Sequence, residues 1–186
     1  MMASVDHERA TVEDLAAIPG KAELIDGRIV SFMPTGRRPN RVAGNIYVSL
    51  RLYERGHGSG EAYTDNVGYV VPELPSGRES FSPEVSYSFG PFPDEPMRFL
   101  RSAPDFAVEV SSEGDHGPAA ERAMAEKRAD YFQAGTRVVW DVDPENEIIR
   151  AYRGSEAAVV TFARGSTADA EPALPNWRIA VDEVFA

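Results

Sequence analysis

Glu109 is the first residue whose type and position in the sequence indicate chemistry. It lies in a short, almost wholly apolar segment, Asp105 to Val110, which is typical of a buried core strand. A buried carboxylate without a partner is costly and tends to become protonated, so we expect a cation beside it. For Glu109 taken alone, an ordinary salt bridge to an arginine at the sheet edge is the favoured explanation.

Lys127 is the second such residue, because it falls within the apolar stripe of a helix predicted from Pro118 to Ala134. The stripe consists of Ala120, Ala123, Met124, Tyr131 and Ala134. The chain has 17 arginines and only two lysines, so a lysine on the apolar face of a helix is unusual for this sequence. Its ammonium can approach a single phosphate oxygen or a water, whereas guanidinium prefers a bidentate fork. Taken alone, a lysine that extends past the helix edge to solvent is an equally good interpretation.

Glu84 is the third candidate, at the start of a predicted strand from Glu84 to Phe89 in which polar and apolar side chains alternate. By itself it is an ordinary acid at a strand start. Two acids on adjacent strands, with a lysine from the helix after the second strand, could however surround one divalent ion. That arrangement would explain Glu84, Glu109 and Lys127 together.

Any metal in this protein must be held mainly by oxygen. The sequence contains no cysteine, which excludes disulfides, thiolate chemistry and cysteine-ligated zinc or iron–sulfur sites. No two of the three histidines, His7, His57 and His116, are close enough to form a helical metal pair. Oxygen ligands favour magnesium, calcium or manganese. Serine hydrolase chemistry is also unsupported, because no Gly-x-Ser-x-Gly elbow occurs.

The charge distribution contains one basic segment in an acidic chain. The net charge of −11 argues mildly against a surface coated with nucleic acid. From Pro34 to Gly58, however, the sequence has five arginines and only one acidic residue, Glu54. They are Arg37, Arg38, Arg41, Arg51 and Arg55. The segment could face phosphates, although a solvated helix face with its preceding loop is the favoured interpretation of the charges alone.

Short motifs predict the elements that position these residues. Thr11 to Asp14 has the form of a capping box that begins a short helix. Asp26-Gly27 between two apolar runs predicts a two-residue hairpin, which would pair Glu23 with Val30. A helix capped by Asn40 should bury one stripe of side chains. The stripe is Val42, Ile46, Leu50 and Tyr53.

The order of elements indicates one α/β or α+β domain, residues 1–186, with a mixed sheet. Strands are predicted at 67–71, 84–89, 105–110, 137–143, 147–153 and 157–163, while residues 165–186 give weak signals. Hydrophobic residues make up 42% of the chain and charged residues 26%, the balance of a soluble globular protein. Because we find neither a membrane span nor a signal peptide, we expect a cytoplasmic protein.

The order and spacing of these motifs resemble the Uma-two family of endonucleases, part of the PD-(D/E)XK superfamily. The matching segments are Ala22 to Gly27, Phe81 to Val85, Ala103 to Ser112, Lys127 with Tyr131, and Val138 to Pro144. The resemblance covers residues 11–153. It implies a restriction-endonuclease-like core, a mixed β-sheet flanked by helices.

The resemblance also implies roles for the site residues. Glu84 and Glu109, with the backbone carbonyl of Val110, are expected to bind magnesium or manganese. In the wider superfamily the lysine lies two residues after the second acid, where this chain has Ser111, and Lys127 is expected to fill its role.

Two departures from the family and one further match concern the same site. The family's first acid is commonly aspartate, from which Glu84 differs by one methylene. Asn40 stands where relatives often have histidine. Glu23 matches an acid of the family's hairpin, which makes it a third candidate for a catalytic carboxylate.

Three functions remain open. The first is a magnesium-dependent endonuclease that hydrolyses nucleic acid, with DNA expected, guided by Arg37, Arg38, Arg41 and Arg51, and with two copies pairing as a homodimer. The second is a catalytically weak or inactive nuclease-fold protein that acts as a nucleic-acid-binding or regulatory module. The third, a glycosidase with two catalytic acids, ranks last because it gives Lys127 no part.

Overall fold

The computed structural model of the chain describes residues 9–115, 117–155 and 157–186. The helices are α1 (Val12–Ala17), α2 (Arg37–His57), α3 (Pro118–Gln133) and α4 (Val181–Val184). The first six strands are β1 (Ala22–Ile25), β2 (Arg28–Ser31), β3 (Glu61–Thr64), β4 (Tyr69–Val70), β5 (Ser80–Phe81) and β6 (Val85–Ser88). The remaining strands are β7 (Phe106–Val110), β8 (Val138–Asp143), β9 (Ile148–Arg153), β10 (Val159–Ala163), β11 (Thr167–Asp169) and β12 (Arg178–Ala180).

A six-stranded sheet in the order β10-β9-β8-β7-β6-β3 forms the centre of the fold. Strands β7 and β8 run parallel, and the other neighbours in this sheet are antiparallel. Parallel neighbours need a crossover connection, and α3 supplies it between β7 and β8. The predicted α+β class with a mixed sheet flanked by helices is therefore confirmed.

Alternation along the strands divides their side chains between two apolar clusters. Phe106 and Val108 of β7 belong to the cluster that α2 and the C-terminal residues complete. Ala107 points to the opposite face, where Tyr131 of α3 is part of the second cluster. Glu109 lies two residues after Ala107 and therefore on the same face of β7. The strand itself thus directs this carboxylate toward α3.

Helix α2 buries the predicted stripe but begins earlier than predicted. The buried side chains include Val42, Ile46, Leu50 and Tyr53. The prediction that Asn40 caps the helix is wrong, because α2 begins at Arg37 and its N-cap is Gly36. Pro39 fits the first turn, where a backbone N–H would lack an intrahelical acceptor in any case. Gly58 ends the helix in the left-handed region, with φ of 67°.

The hairpin β1–β2 has the predicted turn and register. Asp26 and Gly27 both have positive φ, 51° and 64°, as a primed two-residue turn requires. Glu23 lies opposite Val30, as predicted. The predicted capping box is also present at the start of α1.

Several predicted bounds differ from the structure. Strand β3 was not predicted, and the strand expected at 67–71 is only the two-residue β4, which pairs with β5. The weakly defined tail contributes β11, β12 and α4, and Trp177, Val181 and Val184 are buried in the first cluster. None of the helices in the described ranges is long and apolar enough to cross a membrane.

Candidate metal centre

A cleft of about 720 Å³ lies at the carboxyl ends of β7 and β8, on the side of the sheet that α3 covers. The hairpin β1–β2 and the segment that follows it form the opposite wall. The lining includes Glu23, Glu84, Glu109 and Lys127, each from a different part of the chain. The structure therefore brings together the acids and the lysine that the sequence singled out.

Glu109 and Lys127 form a buried ion pair. Lys127 Nζ lies 2.8 Å from Glu109 Oε1, and Glu109 is only 5% exposed. Tyr131 donates a hydrogen bond of 2.7 Å to the same oxygen, and its ring stacks on Phe81. Lys127 and Tyr131 reach one carboxylate because residues four apart lie on the same side of a helix. The cation expected beside Glu109 is thus this lysine and not an arginine at the sheet edge.

Glu23 contacts Lys127 from the other side. Its Oε1 lies 3.0 Å from Lys127 Nζ and accepts a 2.9 Å hydrogen bond from the Ser82 N–H. Its Oε2 accepts a hydrogen bond from Arg78, whose Nε donates to Asp130 at 2.9 Å. Both oxygens of this fully buried carboxylate are therefore bound by the protein itself.

Glu84 lies directly before β6 and meets the other lysine of the chain. Its Oε1 accepts a hydrogen bond from Lys21, and its Oε2 accepts one of 3.1 Å from the Val110 N–H. Lys21 Nζ also lies 2.9 Å from Asp65 Oδ1. Sequence reasoning missed Lys21. The signals that could have found it are the scarcity of lysine and its place two residues before Glu23, on the same face of the hairpin.

The close approach of these groups perturbs their protonation. Burial and then the Glu109 carboxylate raise the pKa of Glu84 to about 7, against the opposing effect of Lys21 and Lys127. Burial alone would lower the pKa of Lys127, but Glu109 and Glu23 outweigh it and the pKa is raised. The Lys127 ammonium is therefore charged at neutral pH, while Glu84 and Glu109 still repel one another.

The family of the chain follows from a match over most of its length. Residues 12–182 match the Uma2 family model, described as "Putative restriction endonuclease". The chain belongs to the Uma2 family. The match extends well past residue 153, where the predicted resemblance ended, and includes most of the buried tail.

The fold of this Uma2 chain is also found in a solved structure. That structure is a putative nuclease belonging to DUF820 from Anabaena variabilis ATCC 29413, with a TM-score of 0.73 and 16% identity. The similarity covers 94% of this chain and 97% of that chain. The expected nuclease-like fold is thereby confirmed. No curated protein matches the chain.

The oxygen donors of the Uma2 cleft fit magnesium better than zinc. Among the described residues, no three or more side chains of Asp, Glu, His or Cys are grouped so as to hold a metal. Zinc sites in proteins use three or four protein ligands, whereas magnesium is commonly bound by one or two carboxylates, with waters or substrate phosphates as the rest. Glu84 and Glu109 supply two carboxylates, and the hydrogen bond to Glu84 places the Val110 backbone beside them.

The ion pairs around Glu23, Glu84 and Glu109 leave an excess of negative charge. They involve three cations, Lys21, Arg78 and Lys127. Their partners are the five carboxylates of Glu23, Asp65, Glu84, Glu109 and Asp130. With all five ionised, these groups carry a net charge of −2, which favours the binding of a cation.

The arginines predicted to contact nucleic acid lie on α2, outside the lining of the cleft. They are Arg37, Arg38, Arg41 and Arg51. Arg38 forms an ion pair with Glu147, and Arg51 forms one with Glu54 on the next turn. The structure does not bring these four side chains to the acids, and their role in nucleic-acid binding stays a prediction.

No histidine among the residues that the structure describes lines the cleft. His57, at the end of α2, stacks on Tyr53 with ring centroids 3.9 Å apart. His7 and His116 lie outside the described residues.

Proposed function

We propose that this Uma2 protein is a divalent-metal-dependent nuclease that hydrolyses phosphodiester bonds of nucleic acid, with DNA as the expected substrate. The observation that carries the proposal is the meeting of Glu84, Glu109 and Lys127 in one cleft of a nuclease-like fold. The family description and the nuclease-like neighbour support the same class of reaction.

Glu84 and Glu109, with the Val110 carbonyl, would hold magnesium or manganese. When bound, such an ion polarises a phosphodiester oxygen and lowers the pKa of a coordinated water. The protein holds both carboxylates in place, since the Val110 N–H donates to Glu84 and the Tyr131 hydroxyl donates to Glu109. Each acid is thus oriented before any ligand enters.

Lys127 is the group that would offset the negative charge which develops on the phosphate. Glu109 and Glu23 hold its ammonium from two sides, so little rearrangement is needed. We propose that Glu23 positions Lys127 and is not a third catalytic carboxylate, because its oxygens already accept hydrogen bonds from Ser82 and Arg78. Lys21 would offer a second ammonium at Glu84.

Cleavage assays with single-stranded and duplex DNA, in magnesium or manganese, test this proposal. Glu109→Gln and Lys127→Met should each lower the rate by about 100-fold or more, the effect of removing one group that stabilises developing charge. Glu126→Gln is the matched control, because Glu126 is exposed on the same helix and does not line the cleft. Equal activity in wild type and both cleft variants would refute the mechanism.

A binding or regulatory module is the second candidate function. It is favoured by one observation: each of the two proposed metal ligands already has a lysine partner, Lys21 on Glu84 and Lys127 on Glu109. Calorimetric titration with magnesium and manganese separates the two candidates. Either no metal binding or metal binding without cleavage of any nucleic acid would support the module, whereas metal-dependent cleavage that is lost in Glu109→Gln supports the nuclease.

A further inference from the structure

One face of the hairpin β1–β2 points into the cleft. Residues two apart on a strand share a face, and cross-strand partners share it too. Glu23 pairs with Val30, and the Phe32 N–H donates a 3.0 Å hydrogen bond to the Lys21 carbonyl, which extends the ladder by one step. Lys21, Glu23, Val30 and Phe32 all line the cleft, as this alternation requires.

Phe32 is an aromatic side chain that lines the cleft, and both ammonium groups lie over its ring. Its ring centroid lies 5.8 Å from Lys21 Nζ and 5.7 Å from Lys127 Nζ. The residue is 40% exposed, and its neighbour Met33 is 88% exposed and also lines the cleft. A phosphate bound by these lysines would therefore lie beside the Phe32 ring.

The size of the cleft and the net charge of the whole chain favour a single strand over a duplex. Its volume of about 720 Å³ falls within the roughly 300–1,000 Å³ of pockets that enclose one small molecule, which is room for one or two nucleotides. The chain carries a net charge of −11, which repels the dense phosphate charge of duplex DNA. A short stretch of one strand meets less of this repulsion.

We propose that Phe32 is a stacking platform for an unpaired base beside the scissile phosphate, so that the substrate class is single-stranded nucleic acid or a strand with an unstacked base at the cleavage position. The inference rests on the proposed nuclease function. A base can stack on a side chain only when its face has left the duplex stack, and aromatic residues bind such bases with little dependence on sequence.

Binding of short labelled oligonucleotides, measured by fluorescence anisotropy with calcium in place of magnesium, tests the inference. The probes are a mixed-sequence single strand, a fully abasic strand of the same length, and the duplex of the first strand. Wild type should bind the intact single strand most tightly. Phe32→Ala should weaken that binding about 5- to 150-fold, the effect of losing one stacked base, and Phe32→Trp should retain it.

Two controls separate stacking from an indirect effect on the lysines. Phe92→Ala removes a phenylalanine of the same 40% exposure outside the cleft and should change nothing. Phe32→Ala should leave binding of the abasic strand unchanged, because that strand has no base to stack. Equal weakening for intact and abasic strands would overturn the inference, since Phe32 would then act only through Lys21 and Lys127.

The outcomes distinguish this inference from the nuclease proposal. Two outcomes would refute the stacking platform while the nuclease proposal stands, provided that wild type binds and cleaves nucleic acid. In the first, Phe32→Ala binds the intact strand as well as wild type does. In the second, wild type prefers the duplex. If wild type binds none of the three probes and cleaves no nucleic acid, both proposals fail. Equal thermal unfolding of wild type and Phe32→Ala confirms that the comparison concerns folded protein.

Discussion

Replacing Arg78 by methionine perturbs the ion network beneath the cleft. Arg78 is 7% exposed and donates to two acids that are also buried, Glu23 and Asp130. Methionine keeps an unbranched apolar stem but removes the guanidinium. Asp130 then loses the cation that neutralises it, whereas Glu23 keeps its contacts with Lys127 and the Ser82 N–H.

The expected loss of stability follows from this imbalance. Removing one partner of a buried ion pair costs about 3–5 kcal/mol, because the other charge is left without compensation. Asp130 bears most of this cost, and the guanidinium also leaves its place 5.2 Å from the centroid of the Phe81 ring. We expect the free energy of unfolding to fall by about 3–5 kcal/mol, which lowers the melting temperature by about 6–20 °C for a chain of this size.

Urea unfolding followed by circular dichroism measures this loss. Arg98→Met is the matched control, since Arg98 pairs with Glu95 on the surface and should change stability by less than about 0.5 kcal/mol. Adding Asp130→Asn to Arg78→Met should recover part of the stability, because a neutral amide is less costly to bury. A loss below about 1 kcal/mol, or no recovery in the double variant, would refute the reasoning.

The remaining predictions concern charge at the cleft and at the surface. Lys21→Met should raise the affinity for magnesium about three- to tenfold in calorimetry, because it removes a competing positive charge from Glu84, and weaker binding would contradict this. Hydrogen bonds from Arg164 and then Arg38 lower the pKa of Glu147 from 4.5 to about 2. Its stabilising effect is therefore fully present above pH 4.5 and lost as the pH falls toward 2. The difference in melting temperature between wild type and Glu147→Gln should shrink over that interval, and a constant difference would show that the pKa is not lowered.

The parts of the fold that could be predicted from the sequence are those with local patterns. The Asp26-Gly27 turn requires two positive φ values and alone sets the register of its hairpin. Strand β7 was predicted because its segment is short and almost wholly apolar, and helix α3 because its apolar residues recur at helical spacing. Strand β3 was missed, since it is a four-residue edge strand with one buried side chain, Ala62.

The tail was only weakly predictable for a different reason. Residues such as Trp177 and Val184 are buried by partners far away in sequence, with Trp177 tilted against Trp140 at 5.2 Å between ring centroids. Such contacts leave only a weak periodic signal in a segment this short, the alternation of Trp177, Ile179 and Val181, all of which are buried. The tail therefore gave weak signals even though it completes one of the two apolar clusters.

The candidate site was only partly predictable because a sequence pattern gives a direction but no partner. The alternation of side chains along β7 and the apolar face of α3 direct Glu109 and Lys127 into the same cleft. Each of these directions can be inferred from neighbouring residues in the sequence. The arginines on α2 show that a count of charges does not predict their partners, because Arg38 and Arg51 form ion pairs with acids outside the cleft. Lys21 was missed because it precedes β1 and belongs to no apolar pattern.

The Asp26-Gly27 turn of the hairpin determines which of its side chains enter the cleft. A primed turn at Asp26-Gly27 fixes which residues of the two strands face each other, and a shift of register by one residue would turn the whole set to the other face. Lys21, Glu23 and Phe32 reach the cleft only in the observed register. The same two-residue turn that closes the hairpin therefore determines where the second ammonium, the carboxylate that holds Lys127 and the proposed stacking ring are placed.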